Sequence, residues 1–169
     1  FEDCDLTMAI DGLQLGILFN QGQVCSAGSR IFVHESIYDR FVDAAVKAFN
    51  KVKVGMPWEK ETQMGALIYE KHLNDVLAWI EEGRKEGVTV ACGGERMTEG
   101  EFAKGYFMRP TLLTNVTNGM KVAREEIFGP VAVVIKFRTE EEVIAMANDN
   151  QYGLAGAVWT RDLNRALRV

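Results

Sequence analysis

Thiolates are intrinsically strong nucleophiles, and Cys25 lies in Gly22-Gln23-Val24-Cys25-Ser26-Ala27-Gly28, where small neighbours leave room for a substrate and a second reactant. A free thiol ionises near pH ~8.5, so work at neutral pH requires a base or an electropositive pocket nearby. On residue type alone a single cysteine is more often a small buried hydrophobe. Cys4 and Cys92, the other two of the three cysteines, have no motif around them and read as packing or incidental thiols. The odd count, the wide spacing and the lack of a Cys-x-x-Cys pair argue against a disulfide framework and against a zinc site. His72 is a possible base, but within Glu70-Lys71-His72-Leu73-Asn74-Asp75 it reads as a solvated side chain on a charged helix surface. Glu125-Glu126, taken as a dipeptide, reads as two solvated carboxylates. Gly93-Gly94 is a turn after a strand, since no Gly-x-Gly-x-x-Gly or Gly-x-x-x-x-Gly-Lys-Ser/Thr phosphate loop occurs.

The elements that must position these residues follow from periodicity. Leu6, Ala9, Ile10, Leu13 and Ile17 recur at three- and four-residue steps and predict a helix over Asp5 to Phe19. Arg30 to His34 reads as a short buried strand, which puts Cys25 on the connection between the two. Ser36 is the expected N-cap of a helix to about Val52, with Ile37, Phe41, Ala44, Ala45, Ala48 and Phe49 as its stripe. A helix over Tyr69 to Lys85 is stopped by Gly87 before a strand at Val88 to Cys92. Gly93 to Gly105 is a polar excursion and Pro110 to Leu113 a short extended piece. Val131 to Phe137 is an almost continuous apolar strand of the kind buried on both faces. Thr139 caps a helix through Ala147 with Glu142 at the capping-box position, Leu154 to Thr160 reads as a last strand, and Asp162 begins a last helix. Strands separated by helices imply crossover connections, so the expected class is α/β: a mainly parallel sheet with helices on both faces.

Two stretches carry a resemblance. Phe19-Asn20-Gln21-Gly22-Gln23-Val24-Cys25-Ser26-Ala27-Gly28-Ser29-Arg30 resembles the nucleophile segment of the NAD(P)-dependent aldehyde dehydrogenase superfamily. About a hundred residues on, Glu125-Glu126-Ile127-Phe128-Gly129-Pro130-Val131 resembles that family's cofactor-contacting segment, and Asn148 to Gly156 is also similar. The resemblance covers nearly all of the chain and corresponds to the family's catalytic domain. It implies that Cys25 adds to an aldehyde carbonyl, forming a thiohemiacetal and then a thioester that is hydrolysed to a carboxylic acid. It further implies NAD or NADP as cofactor, with the Glu126 carboxylate on the nicotinamide-side ribose hydroxyls and the Phe128 ring limiting where the nicotinamide sits. Phe19, six residues before Cys25, is implied as an aromatic wall of the aldehyde channel; the competing reading is a helix-end Phe packed in the core. Within the family several stretches look most like betaine-aldehyde dehydrogenases, and a quaternary ammonium substrate could then meet the face of Phe19.

The chain has 169 residues, 47% hydrophobic and 25% charged, which suits a single folded unit. A net charge of −5 disfavours a nucleic-acid partner. No apolar run approaches the ~20 residues that span a bilayer, and the opening Phe1-Glu2-Asp3-Cys4-Asp5 lacks a secretory layout. Cytoplasmic, reduced thiols are the expectation. The start carries no Met, and Asp162 to Val169 stops within a predicted helix, so residues 1–169 are expected to be a catalytic-domain fragment. Its cofactor-binding and oligomerisation parts lie elsewhere in a parent that the resemblance makes a homo-oligomer. In such a parent, a Glu upstream, from a segment like Glu-Leu-Gly-Gly-Lys, is the implied base for thioester hydrolysis, and the fragment alone is expected to be inactive. The rival readings are a thiol-reactive redox protein without hydride transfer, a non-catalytic assembly module, and a CoA-acylating semialdehyde dehydrogenase.

Overall fold

Asp5 opens the first helix in the computed structural model, which describes residues 1–169: its carboxylate accepts from the Met8 N–H and caps α1 (Leu6–Leu18). The α1 stripe buries Ala9, Ile10, Leu13 and Ile17. β1 (Arg30–His34) follows, then α2 (Tyr38–Lys51), which buries Phe41, Ala45 and Phe49 at four-residue steps. Ser36 is not the N-cap expected for α2. Glu35–Ile37 form a separate 3-10 turn, and His34 caps it by accepting the Ser36 N–H on Nδ1 at 3.3 Å. The Ser36 hydroxyl is itself engaged by His34 Nδ1, at 2.8 Å, instead of capping the helix ahead.

α3 (Glu70–Lys85) buries Leu73, Val76 and Ile80 and ends as Gly87 requires. Gly87 has φ +93°, its N–H donates to the Arg84 carbonyl, and the Val88 N–H reaches back to Gly83, closing a Schellman motif. β2 (Thr89–Cys92) and β3 (Thr111–Thr114) are antiparallel neighbours, because only a polar excursion containing a 3-10 turn (Gly100–Lys104) joins them. A short α4 (Lys121–Arg124), not evident from periodicity, precedes β4 (Val131–Phe137). α5 (Glu140–Asn148) is capped by Thr139, whose hydroxyl accepts the Glu142 N–H at 3.2 Å, while the Glu142 carboxylate accepts the Arg138 N–H at 2.7 Å. Such a cap stabilises a helix by about 1 kcal/mol.

The four strands order as β1-β4-β3-β2, with β1–β4 and β4–β3 parallel. β4 is the centre of the molecule. Its Ala132 and Val134 face α1 and α2, and Val131, Val133 and Ile135 face α3 and α4, which explains why its apolar run has no polar alternation. Helices therefore cover both faces, as the class requires. No helix is long and apolar enough to cross a membrane.

Leu154 to Thr160 is not the strand its composition suggests. It pairs with none of the four strands, and Leu154 is 67% exposed. The segment is fixed by side chains instead: the Trp159 indole lies on Gly12 of α1, and the Thr160 hydroxyl donates to Asp3. Asp162 then caps α6 (Leu163–Arg168), accepting from the Asn164 and Arg165 amides.

Candidate active site

α1 ends in a run of unusual backbone. Asn20 (φ 48°), Gln21 (φ 59°) and Gly22 (φ 69°) are successively left-handed, a conformation that costs a side-chain-bearing residue about 1–2 kcal/mol. Hydrogen bonds hold the run in place. The Asn20 amide donates to the Gln23 carbonyl at 3.0 Å, the Gln21 amide to the Ala66 carbonyl at 3.1 Å, and the Gln23 side-chain oxygen accepts the Ile68 N–H at 3.0 Å. The next residues close a turn, with the Ala27 N–H on the Val24 carbonyl at 3.0 Å, and Cys25 occupies its second position. The thiol is exposed. No acceptor of the chain takes the Cys25 N–H, so that donor is available to an oxygen bound beside the sulfur. The Gly28 N–H on Gly16 and the Val133 N–H on Ser29 then lead the chain into the sheet.

The second segment meets the first at two glycines. A Cβ built on Gly22 would lie 2.1 Å from the Gly129 carbonyl oxygen, so only glycine permits this approach. Gly129 in turn lies on α3, where a Cβ would come within 2.8 Å of Val76 Cγ2. Between α4 and β4 the segment alternates: Glu126 and Phe128 are exposed, while Ile127 is buried against the α3 and α4 cluster. Phe128 is left-handed at φ 57°, and its carbonyl accepts from His72 Nε2 at 2.7 Å. His72 is therefore not the solvated side chain expected. Its partner lies 56 residues away, where no local pattern could reveal it.

Phe19 is 66% exposed, which removes the reading of a core-packed helix-end Phe. With Leu15 and Ala27 it borders a shallow, mostly apolar groove of about 300 Å³ that Val24 and Ser26, the chain neighbours of Cys25, also line. The other thiols sit differently. Cys92 is half-buried in β2, where burial pushes its pKa up, and Cys4 packs against the α1 and α2 cluster. Gly93 and Gly94, both at positive φ, form a turn whose Gly94 N–H is held by the Thr111 hydroxyl.

The arrangement thus sets an exposed thiol with a free N–H donor on a loop pressed against a second loop that presents a carboxylate and an aromatic ring. An exposed carboxylate can accept from a vicinal diol, and a ring can border a planar heterocycle, so Glu126 and Phe128 fit a nicotinamide riboside. Gln21 and Gln23, which tie the Cys25 loop to Ala66 and Ile68, and His72, which ties the Phe128 loop to α3, are not site residues by sequence. The Asn20-Gln21-Gly22 run, two of whose members tolerate left-handed backbone, was the available signal.

The aldehyde dehydrogenase family profile matches residues 1–169. A betaine aldehyde dehydrogenase of Brucella anthropi is 48% identical over all 169 residues, which amount to 35% of that protein. Among solved structures, the NAD+ complex of an aldehyde dehydrogenase from Bacillus cereus is 52% identical with a TM-score of 0.94, over 99% of this chain and 33% of that one. The betaine aldehyde dehydrogenase of Staphylococcus aureus in complex with NAD+ is 42% identical with a TM-score of 0.98, over the same shares. The chain spans about a third of the length of these relatives.

Proposed function

Because the chain belongs to the aldehyde dehydrogenase family, we propose that its residues form the catalytic domain of an enzyme that oxidises an aldehyde, betaine aldehyde being the first candidate, to a carboxylic acid. The observation that carries this reading is the contact of Gly22 with Gly129, which seats the Cys25 loop against the loop of Glu126 and Phe128. Cys25 Sγ adds to the carbonyl carbon, and the oxygen takes the charge and accepts the Cys25 N–H. The NAD(P) nicotinamide, when bound, supplies the acceptor for the hydride that leaves this carbon as the carbonyl re-forms. The Glu126 carboxylate orients the ribose, and Phe128 bounds the ring. Water then attacks the Cys25 thioester, and the C–S bond breaks to return the thiolate. The resemblance assigns the base for that step to a glutamate outside these residues. Phe19, exposed on the groove that Val24 and Ser26 also line, would offer its face to a quaternary ammonium, a contact worth ~0.5–2 kcal/mol. The rest of the enzyme would supply the adenosine side of the cofactor site and the oligomer contacts, and the widely spaced thiols suit a reducing cytoplasm.

The test is NADH formation from betaine aldehyde by the full-length enzyme. Cys25→Ala is expected to lower turnover by roughly 10³-fold or more, as losing a covalent nucleophile does. Residues 1–169 alone are expected to show no turnover above their own Cys25→Ala control. Cys25→Ala turnover equal to wild type would overturn the reading, and a product released only with CoA would replace hydrolysis by acyl transfer.

A further inference from the structure

Phe128 holds a left-handed conformation that side chains avoid. The residues around it are fixed by other means: Ile127 is buried, and Gly129 is held between Gly22 and Val76. The Phe128 carbonyl is left to one partner, His72 Nε2 at 2.7 Å. His72 and Val76 lie one turn apart on the same side of α3, so a single helix face grips the loop at Phe128 and at Gly129. That face does not move easily, since Leu73 and Val76 are fully buried. The imidazole lies 6.0 Å from the Tyr69 ring and 6.3 Å from the Phe128 ring, centroid to centroid.

We infer that His72 is a positioning residue: its Nε2–H holds the Phe128 carbonyl, keeps that residue left-handed, and so fixes where the Phe128 ring borders the cofactor. The inference rests on the assignment of Phe128 to the cofactor site made above. Because a carbonyl can only accept, Nε2 carries the proton, and the role needs a donor at that point rather than an imidazole as such.

Three variants of the full-length enzyme separate these requirements. His72→Ala removes donor and ring, His72→Phe keeps a ring without a donor, and His72→Gln keeps a donor. NAD affinity, measured by calorimetry without aldehyde, is expected to weaken about fivefold in His72→Ala and His72→Phe, the worth of one hydrogen bond, and to stay within about twofold in His72→Gln. KM for the aldehyde is expected to stay unchanged in all three. In the cofactor-free protein, hydrogen exchange of the amides from Ile127 to Val131 is expected to speed up about fivefold in the first two variants alone. Unchanged NAD affinity and exchange in His72→Phe, or equal losses in His72→Gln, would overturn the inference. A wild-type enzyme that binds NAD but oxidises no aldehyde would end the functional proposal while the affinity and exchange series still decides on His72. One that binds no NAD would end both.

Discussion

Reactivity at a cysteine begins with access, and the three thiols of this chain differ in it. Cys25 stands exposed on its turn, whereas Cys92 is half-buried in β2 with its thiol pKa raised by desolvation. Desolvation disfavours the thiolate that alkylating agents require. Iodoacetamide at mildly alkaline pH is therefore expected to modify Cys25 well before Cys4 and Cys92, with peptide mapping as the readout. Cys92 labelling faster than Cys25 would contradict this order. At this scale a motif marks Cys25, Glu126, Phe128 and Phe19 in the sequence, and the fold leaves all four exposed. The sequence was misleading for His72, because Glu70, Lys71, Asn74 and Asp75 around it advertise a wet helix face. The carbonyl that His72 binds reaches it only through the tertiary fold.

Elements place these residues through their ends more than through their middles. The left-handed run at Asn20, Gln21 and Gly22 turns the chain out of α1 and aims the Cys25 turn away from the core. Gly22→Ala would combine a disfavoured left-handed φ with a clash against the Gly129 carbonyl, so it is expected to destabilise the enzyme by about 2–4 kcal/mol in urea unfolding and to weaken NAD binding. Gly119→Ala, where a Cβ meets nothing, is the matched control and should stay within about 0.5 kcal/mol. Helix and strand positions were largely legible, because stripes such as Phe41, Ala45 and Phe49, and caps such as Asp5, Thr139 and Asp162, are local signals. Leu154 to Thr160 was not. Its β-compatible residues need a ladder partner, and no pattern within seven residues can say whether an edge strand runs alongside.

Across the whole molecule, the α6 end is clasped to residues before α1. Arg165 reaches Asp3 and Glu2, both at 3.1 Å, with its guanidinium 4.6 Å from the Phe1 ring, and Arg168 grips Glu140 at 2.6 and 2.8 Å. The three carboxyls titrate below their ordinary values. At Glu2 the leading cause is a hydrogen bond from backbone, partly opposed by desolvation and helped by Arg165. At Asp3 desolvation is the largest influence and acts upward, but hydrogen bonds from Thr160 and Arg161, with Arg165, outweigh it. At Glu140 the Arg168 hydrogen bond leads. Groups depressed in the folded state stabilise it fully above their unfolded pKa and lose that effect as pH falls through the folded value. Amide protection in α6 is thus expected to hold at neutral pH and to drop below about pH 4, whereas Arg165→Ala should show weak protection throughout. Hydrogen exchange across that range is the measurement, and a wild-type α6 equally protected on both sides of it would contradict the clasp.

The pairing of β1 with β4 has a temporal consequence. Arg30 lies opposite Val133, so the chain between them must be laid down and organised before the central parallel ladder can close. Neighbours so distant along a polypeptide lengthen the search for native contacts and slow folding. Gly22 and Gly129 lie just ahead of β1 and β4, so their contact is expected to form together with that ladder, after the local hydrogen bonds of α1.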